Sequence, residues 1–203
     1  MTRWRLPVSR FDKPLVDLRR DERAAQIVEF ALSLPLLVVF VVGIFDFSSA
    51  VTLKQKLTNA AREGARIAAA DPASDLSGSA SGVPVSVWDA FYVVDNYLVG
   101  EKINDCGLSA PATPVQSAGS LTWVSTASGC AGFAANPVTL TINRGLMTRQ
   151  SISGTTTDVI NTQVLIQYPY KWTFGGVIGL LVPGTSYANV SYITGTGTAF
   201  NEN

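Results

Sequence analysis

The pattern of apolar and polar positions predicts one long helix, then a shorter helix, then strands. From Phe30 to Phe45 no residue is charged. That run is about 24 Å long as a helix, less than the ~30 Å of a hydrocarbon core. Adding Ala24 to Val28 and Phe47, with Glu29 and Asp46 near the two headgroup layers, completes a membrane span over residues 24–47. Pro35 lies inside it and is expected to kink the helix locally, which a membrane helix tolerates better than a water-exposed one. From Leu53 onward, apolar or small residues recur at Leu57, Ala60, Ala61, Gly64, Ala65 and Ala68, while Lys56, Arg62, Glu63 and Arg66 fall largely off that stripe. This is a helical period, so residues 48–71 are expected to continue the span as one helix of about 45 residues. It ends at Asp71-Pro72, because a residue before proline is pushed out of the α region. The stripe is rich in alanine, which allows another backbone or sheet to come close.

Residues 72–203 read as one α+β domain. Residues 72–84 are small and polar, with Gly78, Gly82 and Pro84, hence a loop. A helix from Ser86 to about Leu98 carries Val87, Phe91, Val94 and Leu98 on one face, and Ser86 with Asp89 suits an N-terminal capping box. Residues 100–137 are loop-like, with a strand expected over Leu121–Ser125. Val138–Asn143, Asp158–Tyr170 and Ala188–Ala199 read as strands by their β-branched and aromatic content. The apolar stretch Gly175–Val182 is far too short to cross a bilayer.

Charge sets the orientation. Fifteen basic and fifteen acidic residues balance overall, so there is no basic excess of the kind a nucleic-acid partner requires. Yet Arg3, Arg5, Arg10, Lys13, Arg19, Arg20 and Arg23 all precede the span, whereas Lys54, Lys56, Arg62 and Arg66 follow it closely. Residues 1–23 are therefore expected to be a basic cytoplasmic leader, and the domain to lie outside the cytoplasm. In an oxidising compartment Cys106 and Cys130 would form a disulfide, closing a loop of about 24 residues worth roughly 3 kcal/mol in the chain-entropy model. The alternative is two separate buried thiols.

Two blocks carry a resemblance. Arg23-Ala24-Ala25-Gln26-Ile27-Val28-Glu29-Phe30-Ala31-Leu32, followed by Leu34-Pro35-Leu36-Leu37, is similar to the N-terminal signature of the TadE-like family, and so is Leu57-Thr58-Asn59-Ala60-Ala61-Arg62-Glu63-Gly64-Ala65-Arg66. More loosely, Val164-Leu165-Ile166-Gln167-Tyr168-Pro169-Tyr170 and the strand after it resemble the family's closing part. The resemblance implies a pilin-like fold, with the long helix packed on a small antiparallel β domain. It implies a pseudopilin or minor-pilin role in tight-adherence (Flp-type) pili or a related secretion system, with anchoring in the inner membrane. Implied partners are the lipid bilayer, other pilin-like subunits or platform proteins, and a prepilin peptidase. Such a peptidase would cut so that Ala25 is the first mature residue and Glu29 the fifth, with Ala24 in the position usually held by glycine. The new ammonium at Ala25 would then stand four residues from Glu29 on one helix face, offsetting a carboxylate that costs roughly 2.5–3.5 kcal/mol at a bilayer's centre and less at its edge. The plainer reading of Glu29 is a residue lying in the headgroup layer.

A secretory signal peptide is the competing reading of the N-terminus, with Ser48-Ser49-Ala50 as its small-x-small site. The long leader with its four acidic residues, Glu29 and the helical pattern through Ala50 oppose it. Under that reading the chain would be a secreted or anchored β-rich binding module.

Signals for catalysis are weak. The chain has no histidine, which removes Ser-His-Asp triads and histidine metal sites. Gly78-Ser79-Ala80-Ser81-Gly82 has alanine where a nucleophile elbow needs serine. Glycines 175, 176 and 179 lack the strand-helix order of a dinucleotide site. Asn189-Val190-Ser191 is a formal glycosylation sequon of a kind common by chance, and no carboxylate pair stands out. The expectation is a protein that is not an enzyme, with no cofactor, metal or small-molecule substrate.

Overall fold

The computed structural model describes residues 22–76, 82–108, 113–130, 136–152, 154–176 and 190–201. The leader up to residue 21 lies outside them, as do residues 77–81 of the expected loop, residues 177–182 of the apolar stretch, and residues 188–189, the start of the last expected strand and Asn189 of the sequon. The chain divides into two units, one ending at Gly43 and the other Ile44–Asn203.

Helix α1 is Glu22–Ala70 and runs on through Pro35 as α-helix. Within the first unit the side chains of residues 25–38 are all exposed, Phe30, Leu32, Leu36 and Leu37 among them. A helix that turns such residues outward all round calls for an apolar solvent. By length and composition it qualifies as a membrane span.

In the second unit the order is the rest of α1, then α2 (Val85–Gly100), β1 (Val115–Gln116), β2 (Thr122–Ala127), β3 (Val138–Ile152), β4 (Thr155–Lys171) and β5 (Val190–Phe200). The strands form one sheet in the order β1-β2-β3-β4-β5, and each pairs antiparallel with the next. The fold is thus α+β, as expected.

The alanine stripe is the seam on which this unit is built. Leu57, Ala60, Ala61, Ala65 and Ala68 are fully buried. A Cβ on Gly195 would overlap the main chain of Leu57, and one on Gly197 the main chain of Ala61 and Arg62. Two glycines of β5 therefore let the strand lie directly on the helix backbone, a closeness no other residue permits. On the helix side, a Cβ on Gly64 would stand 2.7 Å from Val94 Cγ2 of α2. The helices cover one sheet face, where Trp123, Leu140, Ile142, Val164 and Ile166 are buried. Each such side chain contributes about 1.5–3 kcal/mol by leaving water.

Three expectations need correction. Strand β3 does not stop at Asn143. Arg144-Gly145 looks like a turn but is a bulge: the register shifts between Asn143 and Leu146, after which the strand goes on pairing to Ile152. An extra residue on one strand bends it without ending it. Next, Ser86 and Asp89 form no capping box. Helix α2 begins one residue earlier, after Pro84, with no side-chain cap of its own. Asp75 supplies the acceptor instead, its Oδ2 taking the Ser86 N–H at 2.9 Å. Finally, the region 100–137 contains β1 in addition to the expected strand, which lies at Thr122–Ala127.

Candidate functional site

Ala24, Ala25 and Glu29 all belong to α1. Ala25 and Glu29 are exposed and lie one helical turn apart on the same side. Their neighbours Ile27, Val28 and Phe30 are exposed too, so this carboxylate stands at the edge of an apolar surface.

At the other end of the apolar run, Asp46 is buried, with 3% of its surface exposed. Its carboxylate accepts the main-chain N–H of Thr173 at 3.2 Å (Oδ1) and of Phe174 at 3.0 Å (Oδ2). The Tyr170 hydroxyl donates to its carbonyl at 3.4 Å. Sequence reasoning placed Asp46 at a headgroup layer and missed these donors, which lie more than a hundred residues away. The Asp46 carboxylate raises the Tyr170 hydroxyl's pKa further after burial has already raised it.

Cys106 and Cys130 are bridged, 24 residues apart. The local chain is shaped for it. Cys106 has φ 60°, its N–H donates to Asn104 Oδ1 at 2.9 Å, and its carbonyl accepts the Gly129 N–H at 2.8 Å. A Cβ on Gly129 would collide with that same carbonyl. Tyr168 Oη donates to the Asn104 carbonyl at 2.9 Å, which ties the bridged loop to β4.

Two polar clusters were not legible in the sequence. Arg144 is wholly buried, turned inward by the bulge. Its guanidinium donates to the Asp71 carbonyl at 3.1 Å and to Thr162 Oγ1 at 3.4 Å. Burial pulls its pKa down, while the charges of Asp75 and Asp71 oppose that. It thereby fastens the C-terminal end of α1 to the sheet. The Arg144-Gly145 pair inside a strand-like run was the available signal. The second cluster is Asp95 with Asp105. Burial first, then the charge and hydrogen bond of Asp105, push the Asp95 carboxyl up. This is a carboxylate pair that the sequence did not disclose, and it sits in the packing between α2 and the loop after it.

The sheet face away from the helices has its own character. Across the strands it forms three rows: Thr126-Thr139-Gln167-Thr194, Val124-Thr141-Leu165-Thr196 and Thr122-Asn143-Gln163-Thr198. None of these twelve positions is charged, and hydroxyls and amides dominate. Among the described residues no group of His, Cys, Asp or Glu is arranged to hold a metal ion.

Comparison with known proteins bears out the resemblance read from the two N-terminal blocks. Residues 24–66 match the model of the family described as TadE-like protein. The matched stretch lies wholly within α1 and includes Ala24, Ala25, Glu29, Asp46 and most of the small-residue stripe. No curated protein and no solved structure matches the chain.

Proposed function

We propose, from the TadE-like match over residues 24–66, that this chain is a pseudopilin- or minor-pilin-like component of a tight-adherence pilus or a related secretion system. It is a structural part held in the inner membrane, not an enzyme. One observation carries the reading. The family match falls on a single helix whose first half turns apolar side chains outward and whose second half buries small ones against a sheet. The first half offers surface to lipid or to neighbouring subunits, and the second mounts a domain on it. The basic leader supports a cytoplasmic N-terminus, and a bridged cysteine pair suits a domain outside the cytoplasm.

A secreted or anchored binding module is the second reading. The uncharged, threonine-rich sheet face favours it, being a surface suited to a neutral partner. Loss of everything up to Ala50 would, however, take Asp46 away from Thr173 and Phe174, to which it is hydrogen-bonded.

One experiment tests the assignment. Wild type and Glu29→Ala are expressed in the host, each with and without a periplasm-active reporter at Asn203. The pilus reading expects a mature N-terminus at Ala25, an active reporter, and Glu29→Ala inserting at least as well as wild type. The variant should nonetheless lose surface pili and co-purifying pilus proteins, because the carboxylate facing the ammonium is gone. A mature start at Val51 would support the secreted module instead. Normal pili and normal partner recovery in Glu29→Ala would overturn the role of that residue.

A further inference from the structure

The apolar run of α1 ends at Phe45, and Asp46 is the first charged residue after it. A carboxylate at such a boundary is ordinarily held by water or headgroups. Here it is almost fully buried and is satisfied by the N–H groups of Thr173 and Phe174. Those two residues are thereby held within a hydrogen bond of the helix turn where the apolar run stops.

The surroundings are aromatic. Phe45 and Phe47, on either side of Asp46, are 65% and 64% exposed, and Phe174 and Tyr192 are exposed as well. Trp172 is half-buried. It stands edge-on to Tyr170 with ring centres 5.2 Å apart, and its indole N–H donates to Ser191 Oγ at 3.2 Å. Lys171, next to it, is exposed. Tyr192 pairs across the sheet with Pro169, and Ser191 with Tyr170, so these groups share one end of the β4–β5 pair. Tryptophan and tyrosine concentrate where a membrane meets water, because their rings are apolar and their tips polar. A lysine beside them can place its stem along the rings and its ammonium among phosphates.

We propose that this end of the domain, formed by Trp172, Phe174 and Tyr192 and latched to α1 by Asp46, is a lipid-docking surface that sits in the headgroup layer of the bilayer α1 enters. The inference rests on residues 24–47 being a membrane span, and it goes beyond anchoring. A span by itself does not set which side of the domain faces the membrane, whereas a second contact does. The uncharged sheet face is then held in a constant attitude towards whatever lies outside. Asp46 is the reason the contact is made at a defined level. Each residue of α1 advances about 1.5 Å, so tying Thr173 and Phe174 to residue 46 sets their height to within about a turn of the end of the apolar run.

The test uses the full chain in phosphatidylcholine vesicles, in a Trp4→Phe background, with bromine on the acyl chains close to the headgroups as a contact quencher. Flotation with vesicles after a carbonate wash reads the span. Bromine quenching of tryptophan emission reads the docking. The expected result is flotation of every variant and clear quenching in the parent. Trp172→Phe should lose most of the quenched emission, and Trp88→Phe should keep it. Asp46→Ala, with the ring present but the latch gone, should show weaker quenching than the parent. If the chain floats and Trp172→Phe leaves the quenched emission unchanged, the domain does not dock and the proposal fails while the span stands. If the chain does not float, the span fails and the docking with it.

Discussion

From Ile27 to Phe47, α1 carries phenylalanine, leucine, isoleucine and valine, and most of these side chains are exposed; from Leu57 to Ala69 its buried stripe is mainly alanine. On one helix, then, the more hydrophobic half is the more exposed. Burial in a folded domain depends on what can come close, and alanine and glycine admit a backbone where leucine would hold it off. The apolar half has no such partner in the described residues of its unit. By length and composition it is a candidate membrane span, and a bilayer is a solvent that rewards large side chains without asking for shape.

The largest effect that would test this contrast comes from two glycine substitutions. Gly197→Val drives a side chain into the main chain of Ala61 and Arg62, which cannot give way as a side-chain tip can. The expected loss exceeds about 3 kcal/mol, beyond the usual cost of overpacking, and is seen as loss of near-UV circular dichroism in detergent. Gly43→Val, at a position where nothing lies within 4 Å, should leave the same signal intact. Equal effects would mean that the seam is not a tight one.

Leucine truncations come next. Leu57→Ala removes a fully buried side chain and should cost the domain about 3 kcal/mol in urea unfolding. Leu37→Ala, at an exposed position, should leave that unfolding curve where it is and weaken membrane insertion by only about 0.5 kcal/mol. A shift in domain unfolding with Leu37→Ala would contradict the division of labour along α1.

The smallest effect concerns acids. Asp95 is buried and its carboxyl is pushed up, so as pH rises through the carboxylate range the unfolded chain releases its proton first. Stability from this group is therefore present at low pH and is lost as pH rises through the raised value. Asp95→Asn should flatten that decline in a series of urea midpoints. Glu63 is the opposite case, its carboxyl pulled down chiefly by the hydrogen bond from Arg66, so its contribution is lost as pH falls. The Glu63–Arg66 pair is largely exposed, and Glu63→Gln should shift the acid side by only about 0.3 kcal/mol. The same sign of change in both variants would refute the assignment.

Sequence by itself determined what depends on neighbours a few positions away. The apolar run, the small-residue stripe, the stop at Asp71-Pro72 and the approximate place of α2 and of four strands follow from periods of 3.6 and 2 and from proline's fixed geometry. Ala24, Ala25 and Glu29 could be singled out because their pattern is contiguous. Tertiary structure decided whatever depends on partners far along the chain. Asp75 displaced the expected Ser86 cap from 11 residues away. Arg144, a surface-type residue by composition, became buried because a bulge turned it towards the Asp71 carbonyl, 73 residues distant. Asp46, at the end of the apolar run, is satisfied by two N–H groups 127 and 128 residues on. No local period encodes such meetings. A buried polar group must find a partner wherever the fold brings one, and only the folded chain sets which residue that is.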